Sequence, residues 1–179
     1  MLEEILIAGS GGQGIMLMGQ LLAYGSVFEK LEVTFFPSYG PEMRGGTANC
    51  TVVISDQRIG SPVRNSFTTL MAMNKASLKG FERRVKVGGL LTYNETLIGR
   101  VEDRMGVRLL AVPANRVASE LGNPQVANMV AVGALAGALR IISFSSLSKG
   151  LARVIPSNRH ALIPLNEEAM RRGMEAVQG

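Results

Sequence analysis

Two stretches of the chain combine residue types that could do chemistry. The first is I-L-I-A-G-S-G-G-Q-G, from Ile5 to Gly14, where a short apolar run stops at Gly9, Gly11, Gly12, Gln13 and Gly14 and an apolar-periodic segment follows. That order fits a strand, a tight loop and a helix. Such a loop presents unpaired N–H groups and the positive end of a helix dipole, which suits an anion. The second stretch is P-S-Y-G-P-E-M-R-G-G, from Pro37 to Gly46. Arg44 is a planar bidentate donor for carboxylate or phosphate. Glu42 can orient it, and the flanking Gly-Pro and Gly-Gly pairs imply a shaped loop. The plainer alternative is an exposed Arg–Glu contact worth less than ~1 kcal/mol.

Gly9, Gly11 and Gly14 read formally as G-x-G-x-x-G, the dinucleotide spacing. A dinucleotide site also needs an Asp or Glu at the end of the second strand, about 20 residues on. Here that strand ends at Phe36-Pro37-Ser38, with Glu32 at its beginning and Glu42 deep in the following loop. Gln13 is also uncommon before the third glycine. Free NAD or FAD binding is disfavoured, and a tight turn that needs no ligand stays open beside an anion site.

The other reactive types are scarce. Cys50 is the single cysteine, so neither an intrachain disulfide nor a Cys-ligated cluster can be built from this chain. Its place in a β-branched run suits a buried structural thiol. His160 is the single histidine and follows Asn158-Arg159, which suits a surface side chain. No catalytic residue and no metal site is expected. Asn128 opens an apolar helical run, where it braces the helix or contacts a partner. The formal charge of +5 comes from scattered Lys and Arg without an aromatic ladder, so no nucleic-acid role is expected. Val126–Leu139 is apolar for about 14 residues, short of the roughly 20 that a bilayer requires. No membrane span and no leader are expected, and the chain is expected to be cytoplasmic.

Periodicity supplies the elements that position these residues. Strands are expected at Ile5–Ala8, Glu32–Phe36, Thr47–Ile54, Thr69–Met73, Leu90–Tyr93 and Val107–Val112. Helices are expected at Gly12–Phe28, Lys75–Val85, Asn115–Leu121, Val126–Leu139, Ser145–Ile155 and Asn166–Val177, the last capped by Asn166. The first strand–helix–strand reads as a right-handed unit with parallel strands. Gly88-Gly89 is expected to end a helix, and Arg58-Ile59 to return as a short antiparallel partner of Thr47–Ile54. The result is a three-layer α/β/α domain over residues 1–179, Rossmann-like, with a mostly parallel, mixed sheet and a helical extension from about 145.

Four segments together resemble a known family. They are G-S-G-G-Q-G-I at Gly9–Ile15, P-S-Y-G-P-E-M-R-G-G at Pro37–Gly46, V-V-I-S-D at Val52–Asp56 and E-L-G-N-P-Q-V-A-N-M-V-A-V-G-A-L at Glu120–Leu135. In this order they resemble the gamma subunit of 2-oxoacid:ferredoxin oxidoreductases. The form E-L-G-N-x-x-x-A-N-M looks most like the 2-oxoglutarate type, with pyruvate and branched-chain types close behind. The resemblance implies a non-catalytic subunit of a complex that oxidatively decarboxylates a 2-oxoacid to acyl-CoA and CO2 and reduces ferredoxin. It places thiamine diphosphate, Mg2+ and [4Fe-4S] clusters on alpha, beta and delta-type partners. It offers Gly9, Gly11, Gly12, Gln13, Gly14 and Arg44 as coenzyme A phosphate contacts. It also offers Ser38, Tyr39, Gly40, Pro41, Glu42, Arg44, Gly45, Gly46 and Asn128 as interface residues. Thr68, Asn94 and the tail from Leu165 depart from the family pattern. A stand-alone nucleotide-binding protein is the competing reading.

Overall fold

The computed structural model describes residues 1–39 and 46–177, with the side chain of Tyr39 outside the description. Six strands form one sheet in the order β2-β3-β1-β4-β5-β6. They are β1 (Leu2–Ser10), β2 (Glu32–Tyr39), β3 (Thr47–Ser55), β4 (Phe67–Ala72), β5 (Val85–Asn94) and β6 (Arg108–Val112). The pairs β1–β4, β4–β5 and β5–β6 are parallel, while β3 runs antiparallel to both β1 and β2. The sheet is therefore mostly parallel and mixed.

Ile5, Leu6, Ile7 and Ala8 of the central strand are all buried, as expected of a strand covered on both faces. Ile5 and Ile7 point into the larger core with Met71 and Met73; Leu6 and Ala8 point into the smaller one with Leu70 and Ala72. Helices α1 (Ile15–Phe28) and α5 (Ala127–Leu139) belong to the larger core, and α2 (Lys75–Phe81) covers the smaller one through Leu78 and Phe81. The remaining helices are α3 (Glu95–Ile98), α4 (Ala114–Glu120), α6 (Phe144–Val154) and α7 (Ile163–Glu175). This is the three-layer α/β/α arrangement.

Several local expectations are corrected. β1 and β2 run in the same direction but are not neighbours, because β3 inserts between them and pairs with both. No strand forms at Arg58-Ile59; the antiparallel character comes from β3 itself, and Asp56 instead takes the Met1 ammonium at 2.7 Å. Gly88 and Gly89 lie within β5, where the β4–β5 register shifts, so they mark an irregularity inside a strand and not its start. Helix α2 stops at Phe81, and a 3₁₀ turn, Glu82–Arg84, leads directly into β5. α1 begins at Ile15, because Gly12 and Gly14 have φ of +92° and +71° and are not helical. Asn166 does not cap α7. It lies in the first turn, where its Nδ2 donates to Leu162 O at 2.7 Å, and the helix starts with Pro164 in its opening positions.

Helix α5 is buried along almost its whole length. Its outer side is covered by α7, and the two helices meet at glycines. A Cβ on Gly133 would lie 2.0 Å from Met170 O, and one on Gly173 would lie 2.0 Å from Val130 O. Backbones therefore touch directly, which explains an apolar, glycine-bearing helix without a membrane. No helix among the described residues is long and apolar enough to cross one.

Candidate functional site

The glycine loop sits at the C-terminal end of β1, the edge where open α/β sheets bind ligands. Its shape is held by Gln13, whose Oε1 accepts from Ser10 N at 2.8 Å and from Asn74 Nδ2 at 2.9 Å, while Nε2 donates to Met73 O at 3.2 Å. Asn74 is fixed in turn: its Oδ1 accepts from Ser77 N at 2.9 Å as the N-cap of α2, and its Nδ2 also reaches Ser10 Oγ at 2.8 Å. The first loop is thus tied to the β4–α2 junction. Gln13 acts here as a brace.

The second stretch meets the first through its last residue, since Gly11 N donates to Gly46 O at 3.0 Å. Ser38 is exposed near the end of β2, the edge strand, and Tyr39 closes that strand opposite Ala48. Gly40, Pro41, Glu42, Arg44 and Gly45 lie outside the described residues. Gly9 pairs with Ala48 inside the sheet.

Asn128 comes to the same place from the first turn of α5. A Cβ added to Gly14 would lie 2.2 Å from Asn128 Nδ2, so only glycine admits this approach, and the +71° φ demands glycine independently. Asn128 Oδ1 accepts from Met129 N at 2.9 Å, which turns the amide NH2 toward the loop. A cavity of about 230 Å³ opens here, lined by Gly12, Gln13, Met73, Asn115, Pro124, Gln125, Ala127 and Asn128. Its described lining contains no ionisable side chain. Asn115 is braced from behind by Asn94, which is fully buried and donates Nδ2 to Asn115 Oδ1 at 2.7 Å; Asn94 Oδ1 has no partner among the described residues. Sequence reasoning missed Asn74 and Asn115. Their only signal was position: each falls just beyond the C-terminal end of a strand.

The remaining candidates take quiet positions. Cys50 is fully buried, its Sγ 3.5 Å from Ile15 O, and desolvation pushes the thiol up to about 12. His160 is exposed, with a ring nitrogen 3.0 Å from Ile155 O. Among the described residues no group of three or more His, Cys, Asp or Glu could hold a metal ion. One buried thiol and a neutral cavity do not fit a thiamine–metal centre or an iron–sulfur cluster. They do fit a polar organic ligand held by amides.

A doubly covered α/β sheet with a glycine loop and an amide-lined cavity at its strand ends is an α/β domain whose candidate site is built from backbone and side-chain amides. The chain belongs to the pyruvate ferredoxin/flavodoxin oxidoreductase family, which matches residues 4–176. It is 35% identical over 173 residues to the ketoisovalerate oxidoreductase subunit VorA of Methanothermobacter marburgensis, covering 96% of this chain and 36% of that protein. It is 36% identical over 163 residues to the 2-oxoglutarate synthase subunit KorC of the same organism, covering 87% and 88%. The chain thus spans about a third of the VorA relative and most of the KorC relative. Among solved structures, it is similar to the gamma subunit of a keto/oxoacid ferredoxin oxidoreductase from Geobacter sulfurreducens, with a TM-score of 0.83, 27% identity and 98% of both chains covered. It is also similar to the 2-oxoglutarate:ferredoxin oxidoreductase from Magnetococcus marinus with 2-oxoglutarate, coenzyme A and succinyl-CoA bound, with a TM-score of 0.89 and 26% identity, over 99% of this chain and 31% of that one. The resemblance to gamma subunits holds along the whole fold.

Proposed function

We propose that the chain is the gamma subunit of a multisubunit 2-oxoacid:ferredoxin oxidoreductase of the 2-oxoglutarate type, with the pyruvate and branched-chain 2-oxoacid types as the alternatives. The complex converts a 2-oxoacid and coenzyme A to acyl-CoA and CO2 with reduction of ferredoxin. Residues 1–179 act as one gamma domain, in the cytoplasm, packed against thiamine-bearing and cluster-bearing partners of alpha, beta and delta type. Those partners hold thiamine diphosphate, Mg2+ and [4Fe-4S]. When bound there, the thiamine group supplies the carbanion chemistry of decarboxylation. This chain contributes shape: Gly9–Gly14, Ser38–Gly46 and Asn128 form a face for a partner and one wall of a coenzyme A channel.

The observation that carries this reading is the meeting of the glycine loop and Asn128 at one amide-lined cavity, which brings together the first and last of the four segments that carry the family resemblance. The second segment reaches the first through the hydrogen bond from Gly11 N to Gly46 O. The test is affinity purification through a tag on this chain from its native host. Expected are co-purifying thiamine- and cluster-bearing chains, with 2-oxoglutarate turned over faster than pyruvate or 2-oxoisovalerate. A chain that purifies alone and gains several degrees of melting temperature with NAD would favour the stand-alone nucleotide reading. The absence of a carboxylate at the end of β2 argues against that outcome.

A further inference from the structure

The formal charge of +5 is not spread evenly over the fold. The chain from Arg64 to Arg116 holds ten Lys and Arg and four Asp and Glu, whereas the rest holds nine and ten. The excess therefore belongs to β4, β5, β6 and the connections between them. Part of it is spent inside the fold. Arg64 and Lys86 hold Glu4. Arg84 lies over the rings of Phe67 and Phe81, at 4.9 and 5.6 Å, and donates to Asn65 O and Arg64 O. Arg104 donates to the carbonyls of Glu82 and Val85. Lys75, Lys79 and Arg100 have no such work: all three are exposed, and none makes an ion pair among the described residues.

These three cations meet at one place. Helix α2 and the segment 98–102 flank a cavity of about 320 Å³ lined by Lys75, Lys79 and Arg100. The two lysines are four residues apart, on one face of α2. The apolar part of the lining is Leu78, Ile98 and Val101, which belong to the smaller core. Glu82 and Glu102 line it too, and neither pairs with the cations. The groove lies on the opposite layer from α1 and α5. It begins beside the glycine loop, since Lys75 follows Asn74, which is hydrogen-bonded to Gln13.

Cations around an apolar strip match a protein surface on which carboxylates surround an apolar side chain. A nucleic acid or polyphosphate brings uniform negative charge, and Glu82 and Glu102 stand against it. A protein partner can set a Lys or Arg beside those two carboxylates. The mixed lining thus favours a protein.

We propose that this groove docks an acidic segment of a partner subunit, on a surface continuous at Asn74 with the glycine-loop face. The segment sets Asp or Glu against Lys75, Lys79 and Arg100, and one apolar side chain against Leu78, Ile98 and Val101. The proposal rests on the subunit reading above and adds the chemistry of a contact outside the coenzyme A channel. Exposed ion pairs are individually weak and screened by salt, so the three cations act as a group.

The test uses the complex purified through a tag on this chain. A zero-length carbodiimide joins a lysine amine to a carboxylate in contact with it, and mass spectrometry of the peptides locates each new amide. Cross-links are expected from Lys75 or Lys79 to an Asp or Glu of a co-purifying chain. The double charge reversal Lys75→Glu with Lys79→Glu is expected to lower partner retention by about tenfold or more. Lys75→Arg with Lys79→Arg is expected to keep retention within about twofold, and matching melting temperatures check that both variants fold. A complex that co-purifies with thiamine- and cluster-bearing chains, yet links these lysines to no partner, overturns the docking site and leaves the subunit reading intact. Loss of the wild-type contact on nuclease treatment would mean that a nucleic acid covers the groove, which also overturns it. A wild-type chain that purifies alone overturns the subunit reading and the docking site together.

Discussion

At the scale of single residues, Gly14 is the most constrained position in the site. Its φ of +71° and the 2.2 Å approach to Asn128 Nδ2 are separate demands, and both exclude a side chain. Gly14→Ala is expected to cost about 2–3 kcal/mol from backbone strain and overpacking together. It should also push Asn128 off the loop, so the KM for coenzyme A of the purified complex should rise more than kcat falls. Gly12→Ala is the useful comparison, since a Cβ there meets nothing within 4 Å and only the strain at +92° remains. Cys50 makes a different prediction. Burial pushes the thiol from 9.0 up to about 12. Because the folded pKa is the higher one, the contribution is complete below about pH 9 and is lost as pH rises from there toward 12. Linkage sets the ceiling on this loss at about 4 kcal/mol. Urea melts between pH 8 and 11 should show a decline that Cys50→Ala removes. A thiol reagent at pH 8 should react only after unfolding.

At the scale of elements, legibility in the sequence depended on how local the cause was. Helix α5 was readable because continuous Ala, Gly, Val and Leu leave no polar face, and it is buried nearly throughout. The strands of the parallel half were readable as apolar runs. The place of β3 was not, because inserting it between β1 and β2 depends on pairing across the sheet and no local pattern records that choice. The cap assigned to Asn166 failed for a related reason. A preceding 3₁₀ turn at Ser157–Leu162 runs into α7, so the helix opens at Ile163 with the Asn already inside its first turn. The site was half legible. Glycine spacing exposed both loops, but the partners that shape them are remote: Asn74 lies 61 residues from Gln13, and Asn115 lies 21 from Asn94. The α5–α7 crossing gives the matching prediction. Gly173→Ala puts a methyl 2.0 Å from the Val130 carbonyl oxygen, where backbone must move. It is expected to destabilise by about 3 kcal/mol or more. Gly80→Ala, on an open part of α2, should be neutral to slightly stabilising. Thermal melts of the pair separate close approach from glycine loss in general.

At the scale of the whole molecule, the two ends of the sheet have different work. The N-terminal ends of β1 and β5 carry a fixed ion cluster, in which buried Glu4 is held by Arg64 and Lys86. That cluster joins β1, the segment before β4 and the start of β5, and it is closed on itself. The C-terminal ends carry neutral amides, glycines and the amide-lined cavity, and they face outward. Under the proposed function, recognition falls to the end opposite this ion cluster, as expected when loops on a rigid scaffold carry function. The Pro37–Gly46 stretch leaves the sheet at this recognition end, from the close of β2 to Gly46 against Gly11. Arg44, the charged residue the sequence singled out there, should act at the level of the assembly. Arg44→Ala is expected to leave the melting temperature of the isolated chain unchanged. In the tagged complex it should either lower the yield of co-purifying partners or raise the KM for coenzyme A, by about tenfold for a lost charge-assisted pair. Size-exclusion profiles and coenzyme A titrations of the same preparation distinguish the two effects. Wild-type yield together with wild-type KM would remove Arg44 from both the interface and the coenzyme A channel, and would leave the Gly14–Asn128 contact as the working part of this face.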